Sequence, residues 1–144
     1  MTKERLFLYD TTLRDGAQTT GVDFSVEDKR RIAAVLDDLG VDYVEGGYPG
    51  ANVTDTAFFA ERPGLKRARF TAFGMTKRAG RSVSNDAGLQ AVLQSKADSV
   101  CLVAKAWDYH VRVALGITNE ENLDGIAQSV RAITETQREA MIDC

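Results

Sequence analysis

Four times in this chain a short apolar run is followed by a segment of helical spacing, and that alternation limits the fold more than any other feature. "RLFLYD" (5–10) reads as a buried strand. "SVEDKRRIAAVLDDLG" follows as a helix: Ser25 is its N-cap with Asp28 three residues on, Ile32, Val35, Leu36 and Leu39 share one face, and Gly40 stops it. "VDYVEGG" (41–47) is a second strand, and "NVTDTAFFAERPG" (52–64) a short helix closed by Pro63 and Gly64. "RARFTAFG" (67–74) is a third strand, followed by a helix over 84–96 that carries Leu89, Val92 and Leu93. "ADSVCLVAK" (97–105) is a fourth strand, apolar on both faces. A short helix over 107–116 leads into a long one over 118–140, where Thr118 and Glu121 make a capping box and Leu123, Ile126, Val130 and Ile133 mark the buried stripe.

Repeated βα units build a parallel sheet, and right-handed crossovers put the carboxyl ends of all its strands on one edge. Ligand chemistry in such folds gathers there. The final "MIDC" is apolar and sits where a fifth strand begins. A (β/α)8 barrel takes roughly 250 residues, so 144 residues fit about four βα units: an α/β fold forming the N-terminal half of a barrel, one domain over 1–144, stopping near the start of the fifth strand. A complete small open sheet is the alternative at this point.

Composition narrows the function classes. The net charge of -3 argues against a general nucleic-acid binder. No apolar run reaches the length of a membrane span, and the opening "MTKERLFLYD" lacks the apolar core of a signal peptide. Cys101 and Cys144 stand far apart and form no CxxC, which points to a reduced, cytoplasmic setting.

The strand ends carry the chemistry. The first supplies Asp10, Thr11, Thr12, Arg14 and Asp15; the second Glu45, Gly46, Gly47 and Tyr48; the third Thr71, Phe73 and Thr76; the fourth Lys105, Asp108, Tyr109 and His110. Carboxylates around one arginine suit a hard cation with an anionic, oxygen-rich substrate. Arg14, Asp10, Thr71 and Lys105 are the candidate substrate contacts. The plainer readings remain open: Asp10 bonding amides in its own turn, and Arg14 with Asp15 as a surface ion pair. Glu45 is harder to dismiss, because a carboxylate in a buried strand needs a partner, and Arg14 is the natural one. His110, near Val111 and Val113, reads as structural or solvent-facing rather than as a metal ligand, and Trp107 and Tyr109 as packing groups.

"DTTLRDGAQT" (10–19) resembles the signature of the DRE-TIM metallolyase family, which includes alpha-isopropylmalate, homocitrate and citramalate synthases and HMG-CoA lyase. The stretch from Phe24 to Asn52 looks like the segment after that signature. "KAWDYHVRVALGITNEENL" (105–123) resembles the citramalate synthase branch. The resemblance implies a TIM barrel with a divalent metal (Mg, Mn or Zn) at its carboxyl end, Asp15 as a metal ligand, Arg14 polarising a 2-oxo acid carbonyl, and Glu45 as a catalytic residue ordering the site. It implies acetyl-CoA as cosubstrate and a Claisen-type condensation, with pyruvate giving citramalate; a 2-isopropylmalate or homocitrate synthase, or a related lyase, is the neighbouring reading. The family's His-x-His metal pair has no counterpart, since His110 is the sole histidine, and Ala17 stands where many relatives have Glu. The chain alone is therefore expected to have little or no activity, and to self-associate or form a homodimer. A small non-enzymatic domain binding an anion or a partner is the rival class.

Overall fold

The computed structural model describes residues 4–144. Five strands, β1 (Tyr9–Asp10), β2 (Tyr43–Gly47), β3 (Arg69–Met75), β4 (Ser99–Val103) and β5 (Glu139–Asp143), lie in the order of the chain, every neighbouring pair parallel. Helices α1 (Val26–Leu39), α2 (Val53–Phe58), α3 (Ala87–Gln94) and α5 (Asn119–Thr134) supply the crossovers. Between β4 and α5 a single turn, α4 (Asp108–His110), widens into a π turn over Val111–Leu115 and ends at Gly116. The result is a half-barrel of an α/β fold, and its fifth strand is formed rather than only begun.

Period-two alternation divides each strand between two surfaces. Val44, Phe70, Ala72, Val100 and Leu102 point to the helices and are all 0% exposed. Phe58, Phe59 and Phe70 form the centre of that layer, with ring centroids 4.3–5.8 Å apart. Gly46 is required here, because a Cβ would lie 2.4 Å from the Phe70 ring and 2.9 Å from Phe58. The opposite, concave face is polar. At its base Glu139 accepts from Arg69 (2.8 Å) and from the Tyr43 hydroxyl (3.1 Å), linking β2, β3 and β5.

Several expectations need correcting. Regular pairing in the first strand is confined to Tyr9–Asp10, and Leu6, Phe7 and Leu8 are exposed. This stretch is the sheet edge, and α1 packs on β2 and α2 instead of covering it. In α1 the capping box of Ser25 and Asp28 and the left-handed Gly40 stand as expected, but the buried face is Lys29, Ala33 and Asp37, flanked by Ile32 and Leu36; Val35 and Leu39 are exposed. In α5 the buried positions are Asn122, Gly125, Ser129 and Ile133, while Leu123 is exposed. Small and polar residues let this helix sit close: the Ser129 hydroxyl donates to Gly125 O and accepts the Lys77 N–H at 2.9 Å. The helix ends at Thr134, so Glu139 and Ala140 belong to β5. α2 stops at Phe58, before Pro63 can act as its stop. Trp107 and Tyr109 are exposed and lie against each other, with centroids 4.9 Å apart, instead of packing in the core.

Candidate active site

The loop after β1 is wound by its own backbone. The Thr11 carbonyl accepts from the N–H groups of Arg14, Asp15 and Gly16 at 2.8–3.2 Å, and the Asp10 carboxylate accepts the Thr12 N–H and hydroxyl at 3.0 and 3.1 Å. Asp10 therefore shapes its own turn. Leu13, fully buried, plugs the loop into the core; Arg14 then folds over the mouth of β2 and Asp15 faces solvent.

Arg14 is held on three sides. Its Nε donates to Glu45 Oε2 at 2.7 Å, its Nη1 donates to Asp15 Oδ1 at 3.2 Å, and its guanidinium lies 4.1 Å from the centre of the Phe73 ring. Glu45 is 1% exposed, and its second oxygen accepts from the Tyr9 hydroxyl at 2.7 Å. Both oxygens of this buried carboxylate are thus engaged, the condition under which such a charge is tolerable. Burial, and then the adjacent Glu45 carboxylate, push the Tyr9 phenol far above its ordinary value, so it is a neutral donor at any working pH. Burial likewise pushes up the neighbouring Cys101 thiol, outweighing the bond from Tyr9.

An arginine carries five N–H donors, and two of those of Arg14 have protein partners among the described residues. The rest are available to a ligand. Beside the guanidinium lies a cavity of about 350 Å³, whose lining includes Gln18, Lys29, Tyr48, Asn52 and Phe73. That size and wall suit a small molecule, and a cation pre-oriented by a carboxylate and an aromatic face suits an anionic oxygen on it.

A family profile described as HMGL-like matches residues 5–144. The chain belongs to the HMGL-like family. It is 44% identical over 142 residues to the (R)-citramalate synthase of Aquifex aeolicus, covering 97% of this chain and 27% of that protein. The (R)-citramalate synthase of Streptomyces coelicolor is 46% identical over 140 residues, covering 95% and 26%. A 2-isopropylmalate synthase of Sulfurisphaera tokodaii is more distant, at 33% over 128 residues, covering 89% and 32%. This HMGL-like chain thus spans about a quarter to a third of the length of these relatives. In fold it resembles the hydroxymethylglutaryl-CoA lyase of Pseudomonas aeruginosa, with a TM-score of 0.70 at 21% identity, covering 96% of this chain and 45% of that one.

Of the candidate residues in this HMGL-like chain, Arg14, Glu45 and Asp15 come together and Asp10 closes the turn beneath them. Thr71 does not reach the mouth. It is fully buried early in β3, its hydroxyl 2.8 Å from Ser99 Oγ, because β3 runs on to Met75 and carries Phe73 above it. Lys105 follows β4 and lines a different cavity, beside Val111 and Asn122. His110 is exposed and lies against Trp107. A divalent ion does not fit the donor set present: hard cations take about six oxygen ligands, and among the described residues no group of three His, Cys, Asp or Glu side chains converges. Asp15 is one outward-facing carboxylate, already shared with Arg14.

Sequence reasoning placed Phe73 among the residues at the third strand's end without giving it a role, and did not single out Tyr9, Lys29 or Asp55. Tyr9 and Phe73 had a signal, since alternation puts each on the concave face with Glu45. Lys29 had one too, standing in helical register with Ile32, Ala33 and Leu36 on the packed face.

Proposed function

We propose that these residues form the 2-oxo acid end of an acetyl-CoA-dependent condensing site, with pyruvate as acceptor and citramalate as product. The observation that carries the proposal is Arg14, braced by Glu45, laid on Phe73 and left with unpartnered donors beside a small cavity. The 44–46% identity to (R)-citramalate synthases, against 33% to a 2-isopropylmalate synthase, favours pyruvate over a branched acceptor.

In this reaction a base removes a proton from the acetyl methyl group, and the resulting carbon nucleophile attacks the acceptor's ketone carbon. The carbonyl π pair moves to oxygen as the new C–C bond forms. Water then cleaves the thioester, giving a carboxylate and the free CoA thiol. Arg14 donates to the acceptor oxygen on which negative charge grows, the kind of pre-oriented contact worth several kcal/mol in such steps (about 3–4 for one donor). Glu45, with both oxygens occupied, acts on Arg14 rather than as the base. Thr71 enters this reading only as support beneath Phe73, and Lys105, on its separate cavity, as a contact for the anionic cosubstrate.

Placing this chain in exchange for the matched segment of the Aquifex aeolicus enzyme tests the proposal. The hybrid should release CoA thiol from acetyl-CoA only when pyruvate is present, form citramalate, and lose both on Arg14→Ala. A folded hybrid that is inert, or that prefers a branched 2-oxo acid, would overturn it. The chain by itself should release little or no thiol, because its described residues supply one metal donor. Its open edges at β1 and β5 make self-association the expected state in solution. The reading places it in the cytoplasm, in keeping with two unpaired cysteines; among the described residues no helix is long and apolar enough to cross a membrane.

A further inference from the structure

We infer that Lys29 is a positioning residue that sets Arg14 against Glu45, acting as a brace where the β ladder has stopped. Pairing between β1 and β2 ends at Asp10 with Val44. Arg14 lies four residues further on, in a loop bonded chiefly to itself. No ladder hydrogen bond therefore fixes its distance from Glu45. Lys29 supplies the connection. Its side chain is 4% exposed, and its Nζ donates to the carbonyl of Leu13 (2.8 Å), to the carbonyl of Gly46 (2.8 Å) and to Asp55 Oδ1. Leu13 directly precedes Arg14 and Gly46 directly follows Glu45. One ammonium thus clamps the two peptides adjoining the working pair.

The geometry uses the ammonium fully. Lys has three donors, and all three are committed. Asp55 is itself pinned: its other oxygen accepts the Tyr48 N–H at 2.8 Å, and its carboxyl sits where Gly47 leaves room, since a Cβ there would lie 2.5 Å from it. An isolated buried ammonium is costly, and a Lys–Asp pair is weak evidence of stability for its own sake. A charge kept here, against the two carbonyls that flank the site, is explained by what it holds. Asp37, the other buried charged residue of α1, bonds the turn before β3 and touches neither.

This inference rests on the reading of Arg14 given above, so its test has a readout independent of turnover. In nitrogen-15-labelled chain, the Arg14 Nε–H bonded to Glu45 should give a slowly exchanging signal, assigned by its loss in Arg14→Lys. Two variants move the brace: Lys29→Arg, which keeps the charge but cannot aim three donors from one point, and Lys29→Met with Asp55→Asn, which leaves no orphaned charge. Each should speed exchange at Arg14 Nε about tenfold or more with the fold intact by circular dichroism, whereas Asp37→Asn should leave it unchanged. In the active hybrid the same variants should lower kcat/KM for the 2-oxo acid by up to about 10²-fold, the scale of a 1 Å misplacement, with KM for acetyl-CoA unmoved. Unchanged Nε exchange in a folded variant overturns the positioning role. So does unfolding of both variants, which would make Lys29 a requirement of the fold as a whole. An inert hybrid with the exchange result intact would count against the condensing reading alone.

Discussion

Glu45→Gln tests the centre of the site. The side chain keeps its volume, loses its charge and exchanges one acceptor oxygen for a donor. In the native arrangement, Arg14 Nε and the Tyr9 hydroxyl each donate to a separate oxygen at 2.7 Å, with Glu45 1% exposed. The Gln oxygen can serve Arg14, and its amide can then donate to Tyr9, whose hydroxyl turns to accept. Each side-chain oxygen and nitrogen keeps a partner, but the Tyr9 O–H gives up its acceptor and a charge-assisted bond becomes a neutral one, a loss of roughly 1–2 kcal/mol. The Arg14 side chain, 17% exposed, also loses its buried counterion. Removing one partner of a buried pair costs about 3–5 kcal/mol; Asp15 and the Phe73 ring retain part of that. The net expectation is a loss of about 2–3 kcal/mol. For a urea slope of about 1–3 kcal/mol/M, that lowers the midpoint by roughly 0.7–3 M. Far-UV circular dichroism is the suitable probe, because Trp107 is exposed and reports little of this region. Arg14→Met completes a double-mutant cycle, in which the coupling energy should exceed about 1 kcal/mol. A midpoint within about 0.2 M of wild type, or strictly additive variants, would show that the pair contributes nothing and that Arg14 is held by its loop alone.

Asp37 governs part of the acid limb of stability: burial pushes its carboxyl up, but the N–H groups of Ala68, Lys66 and Arg67, at 2.7–2.8 Å, outweigh this and hold it below the usual carboxylate range. A depressed folded value stabilises above the unfolded pKa of about 3.9 and is lost as pH falls through the folded value, so the stability gap between wild type and Asp37→Asn should be roughly 2 kcal/mol at neutral pH and shrink below about pH 4, as read by urea midpoints along a pH series. Gly46→Ala should cost about 1–3 kcal/mol by overpacking, because its methyl would meet the Phe70 ring at 2.4 Å, and a thermal melt unchanged within a degree or two would refute that close approach. Sedimentation should show concentration-dependent association driven by the uncovered Leu6, Phe7 and Leu8, and Leu6→Lys with Leu8→Lys should shift it toward monomer; a wild-type monomer at every concentration would argue for a self-sufficient domain.

The order of strands and helices was legible because apolar runs, caps and terminal glycines are local signals. Ser25 with Asp28, Thr118 with Glu121, and Gly40 all perform the roles their positions suggest. The meeting of Arg14 and Glu45 was legible for a different reason, as a buried carboxylate demands a partner and the parallel topology brings those two strand ends side by side. Helix faces were the weak point. A stripe assembled from apolar residues alone placed Val35, Leu39 and Leu123 inside, whereas the packed faces of α1 and α5 run through Lys29, Asp37, Asn122 and Ser129.

Those four residues share a property that explains the misreading. Each satisfies backbone groups in loops or strand ends beyond its own helix: Lys29 the carbonyls of Leu13 and Gly46, Asp37 the amides of 66–68, Asn122 the carbonyl of Lys105, Ser129 the amide of Lys77. A parallel sheet with helical crossovers leaves such groups wherever a strand enters or leaves the ladder, and burial makes each one costly unless paired. The helix facing it is the nearest source of a partner, so a polar side chain on the packed face of a crossover helix marks the level at which the ladder ends. In α1 the two polar positions bracket β2 in this way, with Asp37 serving the turn that leads into β3 and Lys29 the carboxyl-end mouth. The end served by carbonyl acceptors draws a cation and the end served by amides draws an anion. That polarity leaves the Lys29 ammonium under the Arg14 loop, where Asp55 balances its charge and its other donors hold the peptides of Leu13 and Gly46.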